Sequence, residues 1–182
     1  MYWIIGFIAI IVLYVVSIFN ALASLKVKIK EAWSQIDVQL KRRVDLIPNL
    51  VETVKSYAKH EREVFENVTK ARSALIGATS AKEAGDADNM LKGALKSLFA
   101  VAEAYPELKA QDGFVQLQKE LSDTEDKVAY SRQFYNTVVR DFNEKTVIFP
   151  SGILAKMFGF KSEEFFNVEE AERSAPKVDF ES

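Results

Sequence analysis

Residues 2–19, YWIIGFIAIIVLYVVSIF, contain one polar side chain, Ser17, and no charge occurs before Lys26. Extended through Ala21-Leu22-Ala23, the run is about 20 residues, roughly 30 Å of helix, which matches the hydrocarbon core of a bilayer. The pattern then changes period. Ile29, Trp33, Ile36, Leu40, Val44, Ile47, Val51, Val54 and Ala58 follow in steps of three and four, one helix face sustained over about eight turns. Pro48 lies inside that stripe. It has no N–H to give the Val44 carbonyl and its ring crowds that group, so a kink near residues 44–47 is predicted. The stripe keeps its phase across the proline, which predicts one bent helix.

A second stripe, Val64, Phe65, Val68, Ala71, Arg72 and Leu75, predicts a helix from Glu61 to about Ile76. Gly77 and the polar run after it read as a loop as far as Asp88, the expected N-cap of a third helix. That helix carries Leu91, Ala94, Leu95, Leu98, Val101, Ala102 and Tyr105 inward and ends at Pro106. The fourth pattern is the most regular. Phe114, Leu121, Val128, Tyr135 and Phe142 are seven apart, and Leu117, Thr124, Ser131, Val138 and Lys145 fill the other heptad position. Its polar members, Thr124 and Ser131, suit a seam within a bundle better than an autonomous coiled coil. Pro150-Ser151-Gly152 stops it. No segment alternates with a strand's period. The fold class expected is all-α: an N-terminal transmembrane helix, residues 1–23, then an antiparallel four-helix bundle, residues 24–146, kinked near Pro48. Residues 147–182 form an aromatic and acidic tail.

Composition narrows the chemistry. The 182 residues carry a formal charge of −2 and no cysteine, so neither a global basic field for nucleic acid nor a thiolate site is available. His60 is the only histidine, and His60-Glu61 is followed at position 64 by Val, so the zinc-protease pairing of two histidines one turn apart is missing. Phosphate-binding glycine loops and a GxSxG serine are absent too. A bundle di-metal site needs two Glu-x-x-His pairs, which one histidine cannot supply. No cofactor and no catalytic or metal residue is expected.

The charges flanking the span carry more meaning. Ala21-Leu22-Ala23 fits a signal-peptidase site, but the run has no positive n-region and is long for a signal peptide, so an anchor is favoured over a cleaved leader. Lys26, Lys28 and Lys30 follow the span and are placed to meet anionic head groups, at about 1 kcal/mol each. By the positive-inside rule they put the helical domain in the cytoplasm. Lys41, Arg42, Arg43 and Asp45 crowd the turns before Pro48. On the helical wheel Arg43 falls beside the apolar arc and Asp37 borders its other side. On the fourth helix Gln118, Glu125, Arg132, Asn136 and Asn143 share a strip beside the seam. These positions predict a cross-helix polar network in which Glu125 or Asp37 pairs with Arg43 or Arg132, setting register more than stability. The alternative is that they face water. Lys41, Arg42 and Arg43 start about 15 residues beyond the first lysines, too far along the helix for the head groups, so either intramolecular pairing or a partner protein is expected for them. In the tail, Ile148-Phe149, the stretch 153–160 and Phe165-Phe166 must cover the bundle's end, the membrane interface or a partner. Seven acids against two bases from Glu163 onward predict a solvated end.

These residues resemble the LemA family. The resemblance is carried by Phe19-Asn20, by EAWSQIDVQLKRRVDLIPNLVETVKSYAKHE from Glu31, and by Val68-Thr69-Lys70-Ala71-Arg72. It continues through Glu125, Arg132, Tyr135-Asn136, Asp141-Phe142-Asn143 and Phe149-Pro150-Ser151. Phe158-Gly159-Phe160, Phe165-Phe166 and Pro176-x-Val-x-Phe180 complete it. The chain departs from the family's usual pattern with Phe at 19 and 142 in place of Tyr, and with Val44 in place of an aromatic. The resemblance implies a bacterial single-pass membrane protein with a helical bundle and no catalytic activity. Magnetosome relatives imply membrane organisation, and genes beside membrane metalloproteases imply an adaptor; some relatives are of exported type. It supplies no site residues. Together the readings give a noncatalytic membrane-anchored scaffold that self-assembles as a homo-oligomer or organises membrane proteins, with the regulator of a membrane metalloprotease as the alternative. Its expected partners are the lipid bilayer, copies of itself and membrane proteins.

Overall fold

The computed structural model describes residues 2–166. They are helical apart from short connections and the segment 158–166, with no strand among the described residues. The order is α1 Tyr2–Tyr57, α2 Arg62–Gly77, α3 Ala81–Glu103, α4 Pro106–Lys109, α5 Asp112–Val147 and α6 Ser151–Met157. Residues 58–61 join α1 to α2, residues 78–80 join α2 to α3, and residues 104–111, which include α4, lead from α3 to α5. The chain is all-α, as its periodicity predicts. The anchor segment and the first bundle helix are one uninterrupted element of 56 residues, so the expected junction at residues 23 and 24 falls inside α1.

The residues group into two compact units. One takes the chain up to Arg43 together with Ser122–Phe165; the other takes Val44–Leu121 with Phe166. In the second unit α2 packs on α3, and Ile47, Leu50, Val54, Val68, Leu91, Leu95, Leu98 and Leu108 are all buried. Phe99 meets Phe114 edge-on with ring centroids 6.2 Å apart. Pro48 sits inside α1 without ending it. The Val44 carbonyl that the proline leaves without a helical donor accepts a hydrogen bond from Arg72 Nε at 3.1 Å. A side chain from α2 thus supplies what the backbone cannot.

Two expectations are corrected here. The loop after Gly77 does not run to Asp88: α3 begins at Ala81, and the connection is only Ala78, Thr79 and Ser80. Ser80 is the N-cap, its hydroxyl accepting from the Glu83 N–H at 3.2 Å. Glu83 answers by accepting from the Thr79 N–H and the Thr79 hydroxyl, both at 2.8 Å. These two bonds hold the Glu83 carboxyl below its ordinary pKa. Ser-x-x-Glu is a capping box, a local signal that outweighs the polar look of the segment. Asp88 lies inside α3, fully buried, with Lys92 Nζ one turn on at 3.6 Å.

In the first unit, Leu22, Ile29, Ala32, Ile36 and Leu40 on α1 are buried, as are Val128, Tyr135, Val138, Val139 and Phe142 on α5. The heptad positions 114, 121, 128, 135 and 142 are all buried, as are Thr124 and Ser131; Lys145 is exposed. Gly152 permits α6 to turn tightly behind α5: its N–H donates to the Ile148 carbonyl at 2.7 Å, and a Cβ there would stand 2.8 Å from the Val147 carbonyl oxygen. The tail's aromatics close on the emerging anchor. Phe19 meets Phe158 at 5.1 Å and Phe160 at 5.8 Å, and Phe160 meets Phe142 at 6.2 Å. From Tyr2 to Tyr14 every residue of the apolar stretch is exposed; Trp3 is 92% exposed and Leu13 69%. Five of the seven tail acids, from Glu169 onward, lie outside the described residues.

Candidate functional site

The polar residues of the first unit sit at neighbouring levels of α1 and α5. Arg43 ends the α1 portion of this unit, and its guanidinium reaches Glu125 Oε2 at 2.6 Å while remaining 4% exposed. A buried guanidinium is costly without a counter-charge, and a half-buried carboxylate on the neighbouring helix supplies one. Asp37 is exposed. Arg42 and Asp45 are exposed as well, whereas Arg132 and Asn136 are partly buried. Of the sequence's alternatives for Arg43, the geometry therefore selects Glu125.

Nearer the anchor, α5 grips the segment after α6. The Asn143 side-chain amide donates from Nδ2 to the Glu163 carbonyl at 2.9 Å and accepts from the Glu163 N–H at 2.8 Å. One amide thus satisfies both backbone groups of a residue that belongs to no helix. The Tyr135 hydroxyl donates to the Glu164 carbonyl at 2.9 Å, and the ring packs edge-on to Trp33 at 5.8 Å. Burial, then the negative charges of Glu163 and Glu164, push the Tyr135 hydroxyl up to about 12. Lys26 pairs with Glu163 at 3.2 Å, while Lys28 and Lys30 are exposed. The sequence pattern did not reveal this use of Lys26, because its partner is over 130 residues away. The periodicity shows Tyr135 as a heptad apolar residue and gives no sign of its hydroxyl's partner. Arg72 stood inside an apolar stripe facing a proline-broken turn, and that signal could have found its bond to Val44.

One open groove, about 650 Å³, lies between α1 and α5 in this unit; its lining includes Gln35, Val38, Gln39, Asp126, Lys127 and Tyr130. Gln39 Oε1 is a buried acceptor without a hydrogen bond. The groove offers amides, one lysine and carboxylates on an open surface, which suits contact. His60 is exposed in the turn between α1 and α2. Among the described residues no group of three or more His, Cys, Asp or Glu stands together to hold a metal ion.

The LemA family model matches residues 32–180. The chain belongs to the LemA family. It is 29% identical over 150 residues to Protein LemA of Metamycoplasma hominis, covering 80% of this chain and 67% of that protein. It is 24% identical over 175 residues to Magnetosome protein MamQ of Magnetospirillum gryphiswaldense, covering 82% of this chain and 64% of the relative. Magnetosome protein MamQ 2 of Paramagnetospirillum magneticum is 26% identical over 159 residues, which is 73% of this chain and 58% of that protein. This LemA-family chain thus spans less than two thirds of the length of the MamQ proteins it matches. The family match begins at Ala32, after the apolar run, and takes in the Arg43–Glu125 pair, the Asn143 clamp and the aromatic cluster around Phe160.

Proposed function

We propose that this chain is a noncatalytic scaffold anchored in a membrane by α1, working by contact with copies of itself or with other membrane proteins. The observation that carries the reading is the 56-residue helix α1. Its first third is apolar, with a mean hydropathy of 2.6 and no part buried, so it is a candidate membrane span. The same helix continues into the packed stripe of the helical domain. Bare apolar surface of this extent needs lipid, and an unbroken helix carries the domain directly on its tether. The polar side chains support the same reading, because Arg43, Glu125, Asn143, Tyr135 and Arg72 each hold a neighbouring element. The names of the MamQ relatives place those proteins at the magnetosome, which agrees with a membrane-organising role. Positive charge at Lys26, Lys28 and Lys30 favours a cytoplasmic domain.

Size-resolved measurement on detergent-extracted full-length protein tests self-assembly. A discrete species larger than one chain is expected, and a strictly monomeric one at working concentration overturns it. A second reading, an adaptor for a membrane metalloprotease, is favoured by the exposed cations Lys41 and Arg42. It expects co-purification with one protease, lost in R42E.

A further inference from the structure

We infer that the turn joining α5 to α6, residues 147–158, is a second membrane contact that dips into the interfacial layer beside the anchor. The proposal rests on the reading of α1 as a span. Most of the apolar side chains in this stretch point away from the protein: Val147 is 77% exposed, Phe149 78% and Met157 74%. Ile148, Ile153 and Phe158 are at least 45% exposed. Ile153 and Met157 are four residues apart, hence on one face of α6. An apolar cluster of this kind on a folded surface marks an interaction site.

Its position chooses the occupant. Phe158 packs edge-on and Phe160 tilted against Phe19, the last aromatic of the apolar run, so the cluster lies at the level where α1 leaves the hydrocarbon. Aromatic side chains with one face against protein suit that depth. Charge agrees. From Lys145 to Lys161 the chain holds three lysines and no acid, and Lys145, Lys156 and Lys161 are exposed. Glu163, the first acid beyond, is engaged by Lys26 at 3.2 Å. A short basic, apolar loop flanking a span is built for an anionic membrane surface.

The cysteine-free chain permits an unambiguous test. Single-cysteine variants F149C, M157C, I10C and H60C of the full-length protein carry a nitroxide and are reconstituted in phosphatidylcholine vesicles with and without phosphatidylglycerol. Collision with oxygen and with a water-soluble nickel complex is read at each site. At 149 and 157, oxygen access several-fold above that at 60 and reduced nickel access are expected, with shallower insertion than at 10. Phosphatidylglycerol should deepen both loop sites, and K156E should reverse that gain. Nickel access at 149 and 157 equal to that at 60, with 10 still in the bilayer, overturns the proposal and leaves the span intact. Shielding from both reagents means a protein partner covers the turn, which also overturns it. Aqueous behaviour at 10 removes the span itself and the proposal with it. Both loop positions are exposed, so neither label disturbs the core.

Discussion

Arg43 and Glu125 are an unequal pair, and the inequality predicts unequal mutants. Arg43 is 4% exposed, while Glu125 keeps about a third of its side chain in water. Removing the acid takes a counter-charge from a buried cation; removing the cation leaves a carboxylate that water can reach. E125A is therefore expected to destabilise by about 2 kcal/mol, below the 3–5 kcal/mol of fully buried pairs, and R43M by clearly less. Urea denaturation of both and of the double variant should give a coupling of about 1 kcal/mol. Tyr135 makes a different prediction. Its folded hydroxyl titrates near 12 against about 10 when unfolded, so the folded state keeps the proton longer. The stabilisation is complete below pH 10 and is lost as pH rises toward 12. The advantage of wild type over Y135F, about 1 kcal/mol at neutral pH from the bond to the Glu164 carbonyl, should shrink across that window by on the order of 1 kcal/mol per pH unit.

At the scale of elements, the proline in α1 and the cap of α3 are the informative cases. The Val44 carbonyl accepts from Arg72 Nε, and Pro48 withholds the donor that a helix would place there. R72L should cost about 1–2 kcal/mol by leaving that carbonyl unsatisfied. In a P48A background the same change should cost markedly less, because the restored N–H of residue 48 takes the carbonyl; thermal melts of the four proteins measure the difference. S80A should destabilise by about 1 kcal/mol through loss of the N-cap, read by thermal melts. The long helices were legible because 3.6- and 3.5-residue periods persist over many turns: the stripe from Ile29 to Ala58 and the heptads of α5 are buried nearly as written. The start of α3 was not, because Ser80 and Glu83 act locally while the helix they open has few large apolar residues before Leu91. Arg43 with Glu125 was readable only as one pairing among several. The clamps made by Asn143 and Tyr135 join positions 20 and 29 residues away, where no period points.

For the whole molecule the decisive quantity is the uncovered apolar length of α1. Charges at the centre of a span cost about 2.5–3.5 kcal/mol each, so I8K with V12K is expected to move the chain from the alkali-resistant membrane fraction to the soluble one, read by fractionation. The helical domain should keep its far-ultraviolet helical signal apart from the loss at α1, because Ile8 and Val12 are both 54% exposed and contribute nothing to the buried core. The bond from Arg72 to Val44 has one more consequence. A tethered helix carries whatever tension its membrane end receives through a ladder of backbone rungs. Pro48 removes one rung, and a guanidinium borrowed from another helix replaces it. Load along the tether is therefore borne, at that turn, by α2 as well.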